Sequence, residues 1–396
     1  MLRYANKCEH SAHIWIRKRG SRVTTVVIGG GLAGCAAAWY LARDGVEVTL
    51  IEAGEVNQLA SGSNAGSLHA QIPHEPFVLK GEGWGRMFSP TVRLLRASLA
   101  MWAGLEAELD ADLEVKFGGG MLVGQTREEA RQIAAKAEIQ RAAGVETELI
   151  GAAELAGRAP YLAPGAEIGA FAPIEGKANP LLVAPAFARA ATAAGATIVT
   201  RAGKAAIVRE RQGYSVHWTG GSIATRRIVV AAGAATGPLL ESLGIHLAID
   251  AVPIQVSVTE LAEPFLPHLV YAAAEKLTMK QARNGSVLIG GGWEACIDAR
   301  GRPYVNAANL ATNLALACRT VPGVASLSIV RSWPAIVNGT DDWMPILGEL
   351  PAAPGIFLSY VPWLGFSAGP AAARAIASMV QGKVPEMDVD FRAFAP

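Results

Sequence analysis

The stretch Val23-Thr24-Thr25-Val26-Val27-Ile28-Gly29-Gly30-Gly31-Leu32-Ala33-Gly34-Cys35 decides the fold. Its first six residues are uncharged and β-branched, the composition of a central parallel strand buried on both faces. Gly29, Gly31 and Gly34 follow at Gly-x-Gly-x-x-Gly spacing, and an Ala-rich helix is predicted over Cys35–Asp44, stopped by Gly45. Glu47–Ile51 supplies a second strand that closes on Glu52. In such a βαβ unit the first glycine permits the tight turn, the second lets a pyrophosphate approach the backbone, and the third lets helix meet strand. Glu52, eighteen residues after Gly34, is placed to accept hydrogen bonds from ribose hydroxyls, and its charge disfavours the 2′-phosphate of NADP. A purely structural glycine turn would need neither the second strand nor the acid. A dinucleotide site is the better reading.

Outward from this unit, Ala60-Ser61-Gly62-Ser63-Asn64-Ala65-Gly66 is small and polar and suits a second loop over phosphates and the inner edge of a ring system. Helices are predicted over Leu94–Leu109, over Arg127–Ala143 (ended by Gly144), and from Ala178-Asn179-Pro180 to about Ala194. Strands are predicted at Thr197–Thr200, Ser215–Trp218 and Arg227–Val230, the last running into Ala231-Ala232-Gly233-Ala234. Val252–Thr259, Lys276–Ala282 and Ser286–Ile289, with an Asn284-Gly285 turn, read as antiparallel strands. A last strand, Gly355–Tyr360, leads to a helix Ala371–Gln381, with Pro370 at its start and Gly382 just past its end. Parallel-type strands lie near both ends and in the middle; antiparallel-type strands fall between about 245 and 330. The fold class is therefore α/β plus α+β. A Rossmann-like domain is expected from 23–80, 150–245 and 331–396, with an inserted antiparallel-sheet substrate or cap domain from 81–149 and 246–330. Residues 1–22 match no element and are read as a flexible tail or a start placed too early.

Composition removes several alternatives. The chain has 396 residues, 51% hydrophobic and 17% charged, which suffices for a large core and excludes disorder. Thirty-five basic against 34 acidic residues leaves no basic stripe for nucleic acid. Cys8, Cys35, Cys296 and Cys318 contain no Cys-x-x-Cys pair, so no metal or iron–sulfur site is expected from adjacent ligands. Val23–Ala42 is uncharged and follows Arg17, Lys18, Arg19 and Arg22, yet Gly29, Gly30, Gly31 and Gly34 interrupt it. The uncharged stretch Leu350–Ala373 holds four prolines. Both read as strand–turn–helix units, not as membrane spans. A soluble, cytoplasmic protein is expected.

Three features taken together, the N-terminal unit, Val230–Ala234 after a late strand, and the turn Gly365-Phe366-Ser367-Ala368-Gly369-Pro370, resemble the D-amino-acid oxidase family of FAD enzymes over roughly residues 23–385. Glu175-Gly176-Lys177-Ala178-Asn179-Pro180 and Pro362-Trp363-Leu364-Gly365-Phe366 look closest to the FAD subunits of heteromeric dehydrogenases, of the hydrogen cyanide synthase, opine oxidase and hydroxyproline or proline dehydrogenase type. The resemblance implies a glutathione-reductase-like FAD domain. FAD would be held by Gly29, Gly31, Leu32, Ala33, Gly34, Glu52 and Ala53; by Ser61, Ser63, Asn64 and Gly66; and by Gly233, Asp342, Gly365, Phe366 and Ser367. It also implies oxidation of a small amino acid or amine by hydride transfer to flavin N5. Electrons would pass to partner subunits carrying an iron–sulfur centre or a second flavin, or to O₂; a non-catalytic FAD-binding subunit is the rival.

Departures from the family's pattern matter as much. Val337 stands where many members place an arginine that clamps the substrate carboxylate, and Val361-Pro362-Trp363-Leu364 replaces a Gly-His-rich turn. The clamp must then come from elsewhere. His69, close after the Ser61–Gly66 loop, and Lys280, sharing a strand face with Thr278, are the candidates, with Trp363 as a cavity wall. The blander readings are a structural histidine, core packing for Met279 and Trp363, and a turn-fixing role for Asp342.

Overall fold

Strand Thr25–Ile28 pairs on one side with Arg227–Val230 and on the other with Val48–Ile51, both parallel, with Val27 opposite Val229 and Leu50. Ile356–Tyr360 and Thr197–Val199 extend this sheet in parallel, and Ile346–Glu349 adds an antiparallel edge. The computed structural model describes residues 24–396; Val23, Cys8 and the tail assigned to 1–22 lie outside them. Helix Leu32–Arg43 buries Cys35 through Ala42 because its alanines let helices Pro180–Ala193 and Gly365–Val380 approach on either side. This six-stranded sheet with its helices is the doubly wound half of the molecule.

The second sheet is larger than the sequence suggests. It runs Ile329–Gly339, Asp250–Leu261, Ser286–Gly290, Thr278–Gln281, Leu269–Ala272, Gly120–Gly124, Ile168–Ala172, Glu148–Gly151. Every pairing is antiparallel except Leu269–Ala272 with Gly120–Gly124. The expected seams therefore move. Residues 150–151, 168–172 and 331–339 pair in this sheet, not on the nucleotide side, while helix Ser89–Leu109 packs on the final helix in the nucleotide-side core. Alternation and length mark a strand but do not say which distant partner it finds, and these short segments are claimed by long-range pairing.

Polar stitches join the two sheets where the site lies. The Tyr360 hydroxyl donates to the Asp250 carbonyl at 2.9 Å and accepts from Gly339 N at 3.2 Å, and Trp333 Nε1 donates to the Ser63 carbonyl at 2.8 Å.

The final helix begins at Gly365, not after Pro370, which sits inside it. Proline removes an N–H and disturbs the preceding turn, and helix Ser89–Leu109 repairs it. Ser98 Oγ and Trp102 Nε1 donate to the Ser367 carbonyl at 2.6 and 3.0 Å, and Ser98 Oγ accepts from Ala371 N at 3.4 Å. A helix already braced from outside tolerates the proline that a boundary rule reads as its start. Among the described residues no helix is long and apolar enough to cross a membrane.

Candidate active site

The glycine-rich turn is built as its spacing requires, with one division of labour revised. Gly29 has φ +113°, and a β-carbon there would lie 2.3 Å from the Ala231 carbonyl oxygen, so the turn is pressed against the Val230–Ala234 segment. At Gly34 a β-carbon would lie 1.9 Å from the Gly29 carbonyl oxygen, which fixes helix against strand. At Gly31 it would meet only Ser61 Oγ, at 2.8 Å, so the fold itself leaves room there for whatever the backbone faces. Gly31 caps the first helix without a side-chain bond, and the first i→i−4 bond is Cys35 N to Gly31 O. The N–H groups of Ala33 and Gly34 have no intrahelical acceptor and the helix dipole adds to them, which suits a pyrophosphate.

Beside this turn the expected small loop begins as a helical turn, Ala60–Ser63. Ser61 Oγ accepts from Leu32 N at 2.9 Å, leaving its own proton free to donate. Asn64 is spent internally, donating to the Ser61 carbonyl at 2.6 Å and accepting from Gly66 N at 2.7 Å. Glu52 accepts from Gly30 N at 2.5 Å and Gly54 N at 2.8 Å, which holds its carboxylate at the strand end where a ribose would arrive. The Ala53 carbonyl is taken by Gly203 N. Gly233, with φ +57°, opens a short turn beside Asn338. Asp342 is exposed and fixes a turn by accepting from Met344 N at 2.9 Å, which is its turn-fixing reading.

A cavity of about 860 Å³ lies between the two sheets, lined among others by His69, Tyr271, Val337, Trp363, Phe366 and Ser367. The final helix starts at its edge, also without a side-chain cap, so the Gly365, Phe366 and Ser367 N–H groups have no intrahelical acceptor. Ser367 is a hub: its Oγ accepts from His69 N at 2.8 Å and donates to the Ser67 carbonyl at 3.1 Å. Trp363 stacks on Trp343 at 4.8 Å, and its Nε1 is buried without a partner.

His69 Nδ1 lies 2.7 Å from Tyr271 Oη, and Tyr271 in turn donates to Glu175 Oε2 at 2.9 Å. Glu175 is completely buried, and its carboxylate also accepts from Ala70 N, Gln71 N and Gln71 Nε2. Burial pushes its pKa up, opposed by those four bonds. Because the tyrosine proton goes to Glu175, Tyr271 Oη accepts the Nδ1 proton of His69. That leaves Nε2 as the ring's free acceptor. Burial and the neighbouring Lys280 charge hold His69 down to about 3, so it stays neutral.

Lys280 stands on the far side of this wall. Its ammonium donates to Ser67 Oγ at 2.7 Å, and the side chain lines a second cavity of about 1150 Å³ together with Asn64, Lys116, Lys177, Arg331 and Trp333. Burial first and Lys177 second bring Lys280 down to about 7; burial and Lys116 bring Lys177 down to about 8. His69 and Trp363 are thus brought together in the first cavity and Lys280 is not. Met279 is core, as its bland reading has it.

The fold and site define a class: a two-sheet protein with an uncapped βαβ cradle and a second uncapped helix at a cavity between the sheets. Residues 24–379 match the family described as FAD dependent oxidoreductase (DAO), and the chain belongs to that family. It is an oxidoreductase whose cofactor is FAD. Among curated proteins it is similar to the glycine oxidase of Geobacillus kaustophilus (26% identity; 93% of this chain, 95% of the relative). It is similar also to the B chain of the opine oxidase of Rhizobium meliloti (27%; 85% and 87%) and to the beta chain of the sarcosine oxidase of Arthrobacter sp (25%; 87% and 83%). The solved L-proline dehydrogenase of P. horikoshii shares the fold with TM-score 0.83 at 23% identity, covering 93% of this chain and 96% of that one.

Sequence reasoning missed Tyr271, Glu175, Gln71, His74 and Lys136. The motif Glu175-Gly176-Lys177 stands out in the sequence, but nothing local says that the acid is buried. For Lys136 a signal existed: it lies at helical spacing from Ile133, Ala137 and Gln140, all buried on one face.

Proposed function

We propose that this chain oxidises the carbon–nitrogen bond of a small amine or amino acid and acts as the FAD-binding subunit of a dehydrogenase. The carrying observation is the Glu175–Tyr271–His69 chain, which ends in a neutral imidazole acceptor in the cavity that the final helix also faces. Bound FAD supplies the acceptor for a hydride from the carbon next to nitrogen. The cradle residues would hold its pyrophosphate and ribose, and the Gly365–Ser367 N–H groups would stabilise negative charge at the flavin's pyrimidine edge. His69 Nε2 accepts an N–H of the substrate amine and fixes its rotation, while Trp363, Phe366 and Val337 exclude water around it. Loss of hydride from the free amine leaves an iminium, which water hydrolyses to a carbonyl and an ammonium ion.

Transfer of electrons to partner subunits is supported by the relatives named as subunits of sarcosine and opine oxidases. Among the described residues Cys35 is buried with its thiol pushed up to about 12, and no metal-holding cluster occurs. The glycine oxidase relatives favour a second reading, a self-sufficient oxidase. An aerobic assay of the isolated chain separates them. Dye reduction much faster than peroxide formation supports the dehydrogenase, and stoichiometric peroxide supports the oxidase.

A further inference from the structure

The first cavity continues past His69 to a wall made by helix Arg127–Ala142, where Lys136 lines it. Lys136 is 1% exposed. An ammonium carries three donors, and here one of them reaches a protein acceptor, the Ile72 carbonyl at 3.0 Å. Glu175 is an opposite charge that acts on it, but Ala70 N, Gln71 N, Gln71 Nε2 and Tyr271 Oη already donate to its carboxylate. Two donors of a buried cation are therefore unspent beside a cavity, an expensive arrangement unless something in the cavity accepts them.

Two neighbours are unsatisfied at the same place. Both ring nitrogens of His74 are shielded from solvent and have no partner, and neither has Gln71 Oε1; both side chains line the cavity. The Gln71 amide cannot be turned round to cure this, since its Nε2 faces Glu175 Oε2 at 3.0 Å and Gly120 O at 3.4 Å, atoms that only accept. The position of Lys136 is fixed by its helix. One turn further along the same face, Gln140 Oε1 accepts from Ile72 N at 3.0 Å, so one helix grips both sides of residue 72. Of the five acidic residues that line the cavity, four are engaged elsewhere: Glu75 with Lys276 at 3.5 Å, Glu128 with Arg131, Glu129 with Gln125 N at 2.7 Å, and Glu275 with Arg319 at 3.7 Å; Glu294 is the fifth.

We propose that Lys136 and His74 form an anion subsite in this cavity, and that the amine oxidised there carries a carboxylate which Lys136 receives. The carboxylate accepts from Lys136 and from a His74 N–H, and an N–H of the same molecule satisfies Gln71 Oε1, so an amino acid completes all three groups. No cation from position 337 competes, because Val337 lines the opposing strand. Lys280, which donates to Ser67 Oγ, lines the second cavity and not this one, so it lies off the subsite. Burial lowers Lys136 to about 7, with Glu175 opposing, so carboxylate affinity falls as pH rises through that value. His74, held down to about 3 by burial and by Lys136, keeps its neutral form throughout.

That the ligand is an amino acid rests on the amine-oxidation reading above, and the test separates the two claims. Propionate, which cannot be oxidised there, is titrated into the FAD-loaded full chain and into Lys136→Met and His74→Leu, following the flavin absorbance. FAD content and melting temperature are measured for each variant. The subsite predicts ~10–100-fold weaker propionate binding in Lys136→Met near pH 6. The difference should vanish by pH 9, and His74→Leu should lie between. Equal affinities in wild type and Lys136→Met overturn the subsite. If Lys136→Met does not fold, the wild type decides: propionate affinity unchanged from pH 6 to 9 overturns it equally. In turnover, Lys136→Met raises KM for an amino acid at nearly constant kcat and leaves KM for the corresponding decarboxylated amine unchanged. Wild-type protein that binds propionate yet is bleached by no amine would refute the oxidation reading and leave the subsite standing.

Discussion

The cradle near the N-terminus and the wall of the first cavity are built on opposite plans. The cradle is backbone: Gly29, Gly31 and Gly34 shape one turn, and donors come from a helix that starts three residues after the first of them. The cavity wall is side chain: His69, Glu175, Tyr271 and Lys136 come from four separated segments and meet only when two sheets close on each other. A site made of backbone follows from spacing, because geometry along the chain is its whole requirement. A site made of side chains depends on pairing that spacing does not encode.

The largest expected effect lies in the cradle and sets fold against cofactor. Gly34→Val drives a side chain into the Gly29 carbonyl and should abolish both soluble expression and FAD content, since the strand and helix cannot separate. Gly31→Ala, at φ −77° with only Ser61 Oγ nearby, should fold normally and lose most of its FAD. If Gly31→Ala kept full FAD occupancy, the pyrophosphate assignment would be wrong.

A smaller effect is expected where the wall is cut. Tyr271→Phe removes a donor from buried Glu175 and the partner of His69 Nδ1, at a cost of roughly 1–3 kcal/mol in stability. With the tautomer no longer fixed, kcat/KM for anaerobic flavin reduction should fall about ten- to hundred-fold at unchanged FAD content. Wild-type reduction rates would show that the chain positions nothing.

The same wall predicts a pH signature of stability. His69 and His74 are held down to about 3 in the folded state against an ordinary value near 6.5, so the unfolded chain binds more protons between those limits. Their contribution is intact above about pH 6.5 and lost as pH falls towards 3. Melting temperature should drop over that window, and His74→Leu should flatten part of the drop. Lys136 and Lys280, both lowered to about 7, bind fewer protons folded than unfolded between about 7 and 10.5, so stability should rise with pH there.

Smallest of all is the effect at Asp342. It accepts one bond from Met344 N in an exposed turn, so Asp342→Ala should cost about 1 kcal/mol or less and leave FAD content unchanged. Loss of FAD in that variant would return Asp342 to the cofactor site.

These contrasts follow what was legible in the sequence. The βαβ unit and the helix that opens at Ala178-Asn179-Pro180 were readable because each is local. The start of the final helix was misread because the brace that lets Pro370 sit inside it, Ser98 and Trp102, comes from about 270 residues away. The seams of the second sheet were misplaced because short strands at 148–151 and 168–172 look alike whichever sheet they join. Lys280 was placed on the correct strand face relative to Met279, but sequence could not say that a second cavity lies on that face.

The central claim is that the cavity binds a nitrogen substrate and reduces FAD with it. The direct measurement is anaerobic titration of the FAD-loaded chain with glycine, sarcosine, D- and L-amino acids, hydroxyprolines and opines, following loss of the oxidised flavin absorbance. The account predicts complete bleaching by at least one of these, with one carbonyl product released per flavin and none from the matching hydroxy acid. Flavin that dithionite reduces but every amine in the series leaves oxidised would contradict it.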